Sequence, residues 1–305
     1  MRPFLVVGEA ILDVISESGH DRELPGGSPA NVAAGLGRLG HQVGLWAHIG
    51  ADHAGTVLRE HLTASGVDLL APVAGVSSRA HARIQPDGSA RYEFTVDWPR
   101  WPGGPAPDEP AEHVHTGSIA ALMPPGADDV EQLLRQRRAA ATVSFDPNVR
   151  PSLIGSPDES RARVETLVAA SDVVKASDED LAWLYPGVPP LDSARKWLAL
   201  GPSLVCVTLG AEGAFAVAGD LDVAVPPVPV TVADTVGAGD AFMSGLLDAL
   251  WERRLLGVEA RLRLGAVTGE TIRQVLSRAA LVAAITVSRA GAAPPTAEEV
   301  SAWER

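Results

Sequence analysis

A chain of 305 residues with 46% hydrophobic positions can build one large α/β domain, alone or with a small appendage. Its 25 basic and 38 acidic side chains give a net charge of −13 with no lysine-rich or arginine-rich run, which argues against nucleic-acid partners; an anionic nucleotide would need local N–H groups and a divalent cation. The single Cys206 excludes an intrachain disulfide. No segment approaches about 18 uninterrupted apolar residues, and the start of the chain lacks a signal-peptide layout, so a cytoplasmic protein with no membrane partner is expected.

Residues 4 to 8, Phe-Leu-Val-Val-Gly, have the pattern of a buried strand. Glu9 and Asp13 follow at the end where open α/β sheets carry ligands; Asp13 suits either a substrate hydroxyl or a turn. Gly26-Gly27-Ser28-Pro29-Ala30-Asn31 and the alanine-rich run behind it mark a helix start. Asn31 offers a donor and an acceptor, which fits a polyhydroxy compound as well as an ordinary first-turn position. Gly35-Leu36-Gly37-Arg38-Leu39-Gly40 matches G-x-G-x-x-G, but a dinucleotide fingerprint needs a strand before it and a helix opening within it. Here the glycines close a helix and precede a strand at 43 to 49, with a helix over 52 to 65.

Ala82 and Ile84, then Tyr92, Phe94, Val96 and Trp98, alternate around Pro86-Asp87-Gly88-Ser89. That predicts a β-hairpin with one aromatic face, laid over a site or against a second subunit. Residues 99 to 110 are an irregular proline-rich connector. Strands at 114–115, 143–146, 173–175 and 204–208 then alternate with helices near 126–140, 158–170 and 192–200. This rhythm predicts a mostly parallel central sheet with helices on both faces. Ligands would collect beyond the carboxyl ends of its strands, near Gly117, Asp146, Asn148, Arg150, Lys175, Ser177, Asp180, Thr208, Gly210 and Gly213. The chain divides into a major α/β unit of residues 1–14, 25–76 and 104–305 and a small β lid of 15–24 and 77–103.

The stretch from 234 to 247 organises the rest. A β-branched run (Val228, Val230, Thr231, Val232) gives way to Gly237-Ala238-Gly239, and Phe242, Leu246, Leu247, Leu250 and Trp251 then recur at helical spacing. Glycines at a loop-to-helix junction leave unpaired N–H groups facing outward, where the helix dipole favours an anion. Asp240 sits in that first turn, where a carboxylate suits a general base beside a phosphate site. The plainer alternative is an acid that only complements the dipole, after glycines that only turn the chain.

Gly26-Gly27-Ser28-Pro29-Ala30-Asn31-Val32-Ala33 and Asp234-Thr235-Val236-Gly237-Ala238-Gly239-Asp240-Ala241-Phe242 resemble the two signatures of the ribokinase-like (PfkB-type) carbohydrate kinases. The resemblance spans nearly the whole chain. It implies a ribokinase-like fold and ATP-dependent phosphorylation of a sugar hydroxyl, with Asp240 as base. It also implies an anion hole from the N–H groups of Gly237, Ala238 and Gly239, and a sugar held by Asp13, Gly27 and Asn31. Thr208-Leu209-Gly210-Ala211-Glu212-Gly213 is similar to the family's nucleotide-binding turn. The backbone near Asp234 and Val236, with loop 289–293, resembles its monovalent-cation (K+) site. No Walker A lysine sequence is present, so amides, Mg2+ and Lys175 would compensate the phosphate charge, unless Lys175 is a surface lysine. Where many members carry Asn-x-x-Glu to organise Mg2+, this chain has Ser177-Asp178-Glu179-Asp180. Asp180 would act on the metal through water, or the acids are solvated in a helix's first turn.

Phe145-Asp146-Pro147-Asn148-Val149-Arg150-Pro151 and Gly8-Glu9-Ala10 resemble the fructokinase branch, implying fructose or a similar ketohexose. Related 2-keto-3-deoxygluconate kinases share much of this, and an acidic sugar would want Arg150 or Arg83 near its carboxylate. Arg150 would equally pair with Asp146 or cap a helix. A catalytically silent sugar- or nucleotide-binding regulator is the alternative from another class, and a nicotinamide enzyme rests only on Gly35, Gly37 and Gly40.

Overall fold

Alternation in the first strand sets the layers. The structure, a computed structural model, describes residues 2–17, 20–70, 75–84, 90–101, 109–291 and 293–304. In β1 (Arg2–Val7), Phe4 and Val6 enter one core and Leu5 and Val7 the other, because successive side chains of a strand face opposite ways. All four are fully buried, so the run reads as continuously apolar.

A smaller sheet is built from β2 (Ile11–Glu17), β3 (His20–Gly26), β6 (Ser78–Ile84) and β7 (Ala90–Thr95), in the order β3-β2-β6-β7. The large sheet adds β4 (Val43–Trp46), β5 (Val67–Leu69), β8 (Ala111–Gly117), β9 (Thr142–Asp146), β10 (Val173–Ser177), β11 (Leu204–Thr208), β12 (Ala214–Ala218) and β13 (Leu221–Val225). Its order is β13-β12-β11-β10-β9-β8-β1-β4-β5. Pairing is parallel from β11 to β5, and antiparallel at β11–β12–β13, an edge that the βα rhythm does not predict.

The core containing Phe4 and Val6 is closed by α1 (Ser28–Arg38), α2 (His53–Ala64), α9 (Ala238–Glu252) and α11 (Gly269–Val287). The opposite core is closed by α3 (Ser118–Leu122), α4 (Gly126–Arg137), α6 (Pro157–Ala169), α7 (Asp178–Leu184) and α8 (Pro190–Leu198). Short helices α5 (Pro151–Ile154), α10 (Arg261–Leu264) and α12 (Ala297–Trp303) complete the set. None of the described helices is long and apolar enough to cross a membrane.

Two sequence expectations change. The small sheet begins at Ile11, so Asp13 lies within β2, paired with Leu24 and Ala80, rather than in a turn after β1. Strand pairing of the aromatic hairpin ends at Thr95, and Trp98 leaves it. Trp98 is 2% exposed and meets Trp101 and His48 edge-on in the large unit's core. The alternation in sequence outlasts the strand. The hairpin tip (Pro86–Ser89) and most of the connector (102–108) lie outside the described residues. The G-x-G-x-x-G run serves packing instead of a dinucleotide: a Cβ at Gly35 would sit 2.5 Å from Ser244 Oγ, and one at Gly37 would sit 2.1 Å from Ser65 O.

Candidate active site

Gly237 opens α9 with φ 73°, a left-handed conformation that a side chain disfavours. The first i→i−4 bond is Ala241 N to Gly237 O at 2.8 Å, so the amides before it lack a helical acceptor. Ala238 N–H donates to Thr235 O at 3.2 Å and closes the turn. The amides of Gly237, Ala238, Gly239 and Asp240 thus have no i−4 acceptor, and of these Ala238 has the turn bond to Thr235.

Asp240 is 7% exposed and lies in a polar cradle rather than an apolar one. Its Oδ1 accepts from Ser28 Oγ at 2.6 Å and Asn148 Nδ2 at 3.4 Å, and its Oδ2 accepts from Asn31 Nδ2 at 2.8 Å. Ser28 and Asn31 come from the first turn of α1, whose Pro29 presets the helical dihedral. Gly27 lets that turn approach: at φ 96°, a Cβ there would be 2.6 Å from Glu9 O. Ser28 is a site residue that sequence reasoning quoted only inside a motif; its contact spans 212 positions and leaves no local signal.

Two further carboxyls share the influence of Arg150, which holds Asn148 of this cradle. Burial pushes the Asp13 carboxyl up to about 6 and that of Glu9 to about 7, with the Arg150 guanidinium opposing both. A Cβ at Gly26 would be 2.4 Å from Asp13 Oδ2, so glycine there leaves that oxygen free. Arg150 is exposed, and its Nη1 donates to Asn148 Oδ1 at 2.7 Å, Asn148 O at 3.2 Å and Val149 O at 3.0 Å. It neither pairs with Asp146 nor caps α5 through its side chain. The side chain of Arg83 lies outside the described residues.

Lys175 is no surface lysine. It is 3% exposed, and its Nζ meets Asp146 Oδ2 at 3.0 Å on a carboxylate with no exposed area. Burial works against the Lys175 charge, but Asp146, Asp180 and Asp240 outweigh it and raise its pKa. Burial also pushes the Asp146 carboxyl up to about 6, against the pull of Lys175. A Cβ on Gly239 would lie 2.9 Å from Lys175 Nζ, so the ammonium sits directly against the glycine turn. Thr208, Gly210, Gly213, Ala238 and Gly239 line one pocket of about 490 Å3, walled by Val230, Phe242 and Val287. Of the four residues expected to bind nucleotide, Thr208, Gly210 and Gly213 thus line one cavity that reaches the α9 turn, and Lys175 is not among its lining residues.

A model of the pfkB family of carbohydrate kinases matches residues 3–299. The chain belongs to that family. This kinase is 36% identical over 269 residues to a fructokinase of Rhizobium leguminosarum bv. trifolii, across 83% of this chain and 81% of the relative. Its fold matches fructokinase from Vibrio cholerae O395 in a fructose-, ADP- and calcium-bound form with a TM-score of 0.84 at 27% identity, covering 100% of this chain and 99% of the other. A double mutant of the Vibrio enzyme, bound to fructose, ADP and potassium, matches with a TM-score of 0.82 at 27% identity, over 100% and 99% of the two chains. The protein is a carbohydrate kinase of ribokinase-like fold, a phosphotransferase with an alcohol acceptor.

Both expected metal positions are occupied by hydrogen bonds within the protein. Asp180 closes a capping box, its Oδ2 accepting from Ser177 N at 2.9 Å and Ser177 Oγ at 2.7 Å, while its Oδ1 accepts from Val149 N at 2.7 Å. It is neither a solvated acid nor the core of a resident metal centre. Among the described residues, no group of three His, Cys, Asp or Glu side chains could hold an ion. A divalent ion that arrives on nucleotide phosphates fits better, because it needs few protein ligands and keeps its waters. The other position is an assembled turn: Asp234 Oδ1 accepts from Val236 N at 3.0 Å and its Oδ2 from Gly291 N at 2.9 Å. That bond joins the 234–236 backbone to the loop after Arg289.

Proposed function

We propose that this kinase transfers the γ-phosphoryl group of ATP to a hydroxyl of fructose or a similar neutral ketohexose, with Asp240 as general base. The observation that carries this reading is the Asp240 carboxylate, held by Ser28, Asn31 and Asn148 at the N-terminus of α9, where the pocket meets Lys175. The apolar wall of that pocket suits a nucleobase, and the first-turn amides suit phosphate oxygens. The sugar hydroxyl gives its proton to Asp240 as its oxygen bonds to the γ-phosphorus; the bond from that phosphorus to the β-bridging oxygen breaks, and ADP leaves. Lys175 and the free amides hold the charge on the transferring group. Mg2+ on the phosphates would neutralise further charge, with Asp180 Oδ1 accepting from one of its waters. The joined 234–236 and 289–291 backbone would hold K+.

A neutral sugar is favoured over a keto-deoxy acid by charge. Asp13 brings negative charge to this side, and the cation that acts on it among the described residues, Arg150, already donates to Asn148 and Val149. Asp13 stands in the small sheet, which would act as the lid over the sugar and as the edge offered to a second subunit.

Asp13 accepts sugar hydroxyls more strongly when ionised than when protonated. As pH falls through about 6, it gains a proton, so KM for the sugar is expected to rise, by up to roughly tenfold per pH unit, while KM for ATP stays level. Asp13→Asn should remove this dependence; an unchanged acid limb in that variant would place the ionisation elsewhere. The overall reading is tested by coupled ADP release over ketohexoses, aldohexoses, pentoses, nucleosides and keto-deoxy acids. Turnover should be fastest with a neutral ketohexose; sugar binding with no ADP release from any of them would indicate a silent regulator.

A further inference from the structure

Two residues at the ends of neighbouring strands hold backbone conformations that favour glycine. Ser118, after β8, has φ 53°, and Asn148, after β9, has φ 34°. Such conformations persist only where the surroundings impose them, and they cluster where position matters. Behind both lies one acid that the phosphoryl-transfer scheme leaves unused. Glu9 is 2% exposed, too enclosed to reach a sugar. Its Oε2 accepts the Ala120 N–H at 2.9 Å, which ties it to the first turn of α3, where Ser118 stands. Ser118 Oγ donates to Asn148 O at 3.2 Å, and Asn148 Nδ2 reaches Asp240 Oδ1 at 3.4 Å. At that length the last bond is near its outer limit, so a small shift of the loop removes it.

We infer that Glu9 is a positioning residue for phosphoryl transfer: by holding the Ala120 amide it fixes the first turn of α3, so that Ser118 stays on the Asn148 backbone and the Asn148 carboxamide stays on the Asp240 carboxylate. The inference rests on the reading of Asp240 as the base. Donation from Asn148 to Oδ1 leaves the carboxylate oriented and ionised before the sugar arrives. Arg150, the charged group facing Glu9, clamps the other end of the same carboxamide.

Ser118→Gly separates this role from a merely structural one. It deletes the hydroxyl but relieves the positive φ, so the melting temperature should be no lower than that of the parent. We expect kcat to fall about tenfold with KM for ATP within about twofold, the size expected of a misplaced base. Glu9→Ala should lose about as much. Glu9→Gln, whose carboxamide oxygen still accepts the Ala120 N–H, should keep at least about half of kcat. Parental kcat in folded Ser118→Gly, or Glu9→Gln as slow as Glu9→Ala, overturns the inference. Asp240→Asn is measured alongside: if it turns over normally the base assignment itself fails, whereas an inactive Asp240→Asn beside a fully active Ser118→Gly removes only the role given to Glu9.

Discussion

Asp240→Asn is expected to lower kcat at least about 100-fold while leaving KM for ATP close to the parental value, since general bases contribute on this scale. The substitution keeps the shape of the side chain, and Ser28 can still donate to the carboxamide oxygen. Asn31 now donates to Oδ2 at 2.8 Å; with a nitrogen in that place it need only turn its own carboxamide to offer oxygen. The fold should therefore survive, and the loss should fall on chemistry rather than nucleotide binding. Steady-state ADP release at saturating sugar checks this. Turnover near the parental rate in a folded variant would remove Asp240 from the proton's path.

The second large effect belongs to Lys175. Lys175→Met leaves Asp146, with no exposed area, without its cation, and breaking a buried pair in this way costs about 3–5 kcal/mol. The sign of the pH dependence follows from the Asp146 carboxyl, which burial already raises to about 6 from 3.8. A raised folded-state pKa means stability that is present below the unfolded value and lost as pH rises through the folded one. Without Lys175 that folded-state pKa rises further, so the variant should lose stability as pH climbs above the unfolded value of about 3.8 and recover in acid. Lys175→Met combined with Asp146→Asn should regain most of the melting temperature, because no buried charge remains. It should not regain kcat, which we expect to stay at least about 100-fold down, as for loss of one group aimed at developing charge. A double variant with restored turnover would mean that Lys175 only neutralises Asp146.

The glycine turn and the acid behind it were legible in the sequence because their signal is local. Gly237 to Asp240 and the apolar residues of α9 lie within a few helical turns of one another. The parallel sheet was legible for the same reason, through runs such as Phe4–Val7. Contacts between distant segments were not. Ser28 meets Asp240 across 212 positions, and Lys175 finds Asp146 across 29, so sequence alone left Lys175 between a surface and a site residue. Residues 15–24 are placed in the β lid from sequence, but the bounds of the β2–β3 hairpin are not legible, because His20 to Glu23 carry polar, exposed side chains with no apolar alternation. Trp98 misled in the opposite way, since it extends an alternating pattern beyond the last paired residue.

The most direct measurement is a structure of this kinase with fructose and a non-hydrolysable ATP analogue. The account predicts one sugar hydroxyl within about 2.6–3.2 Å of an Asp240 carboxylate oxygen, Asp13 and Asn31 on neighbouring hydroxyls, and the γ-phosphate against the Gly239 turn and Lys175. A sugar whose hydroxyls all turn away from Asp240, or a terminal phosphate remote from that turn, would contradict it.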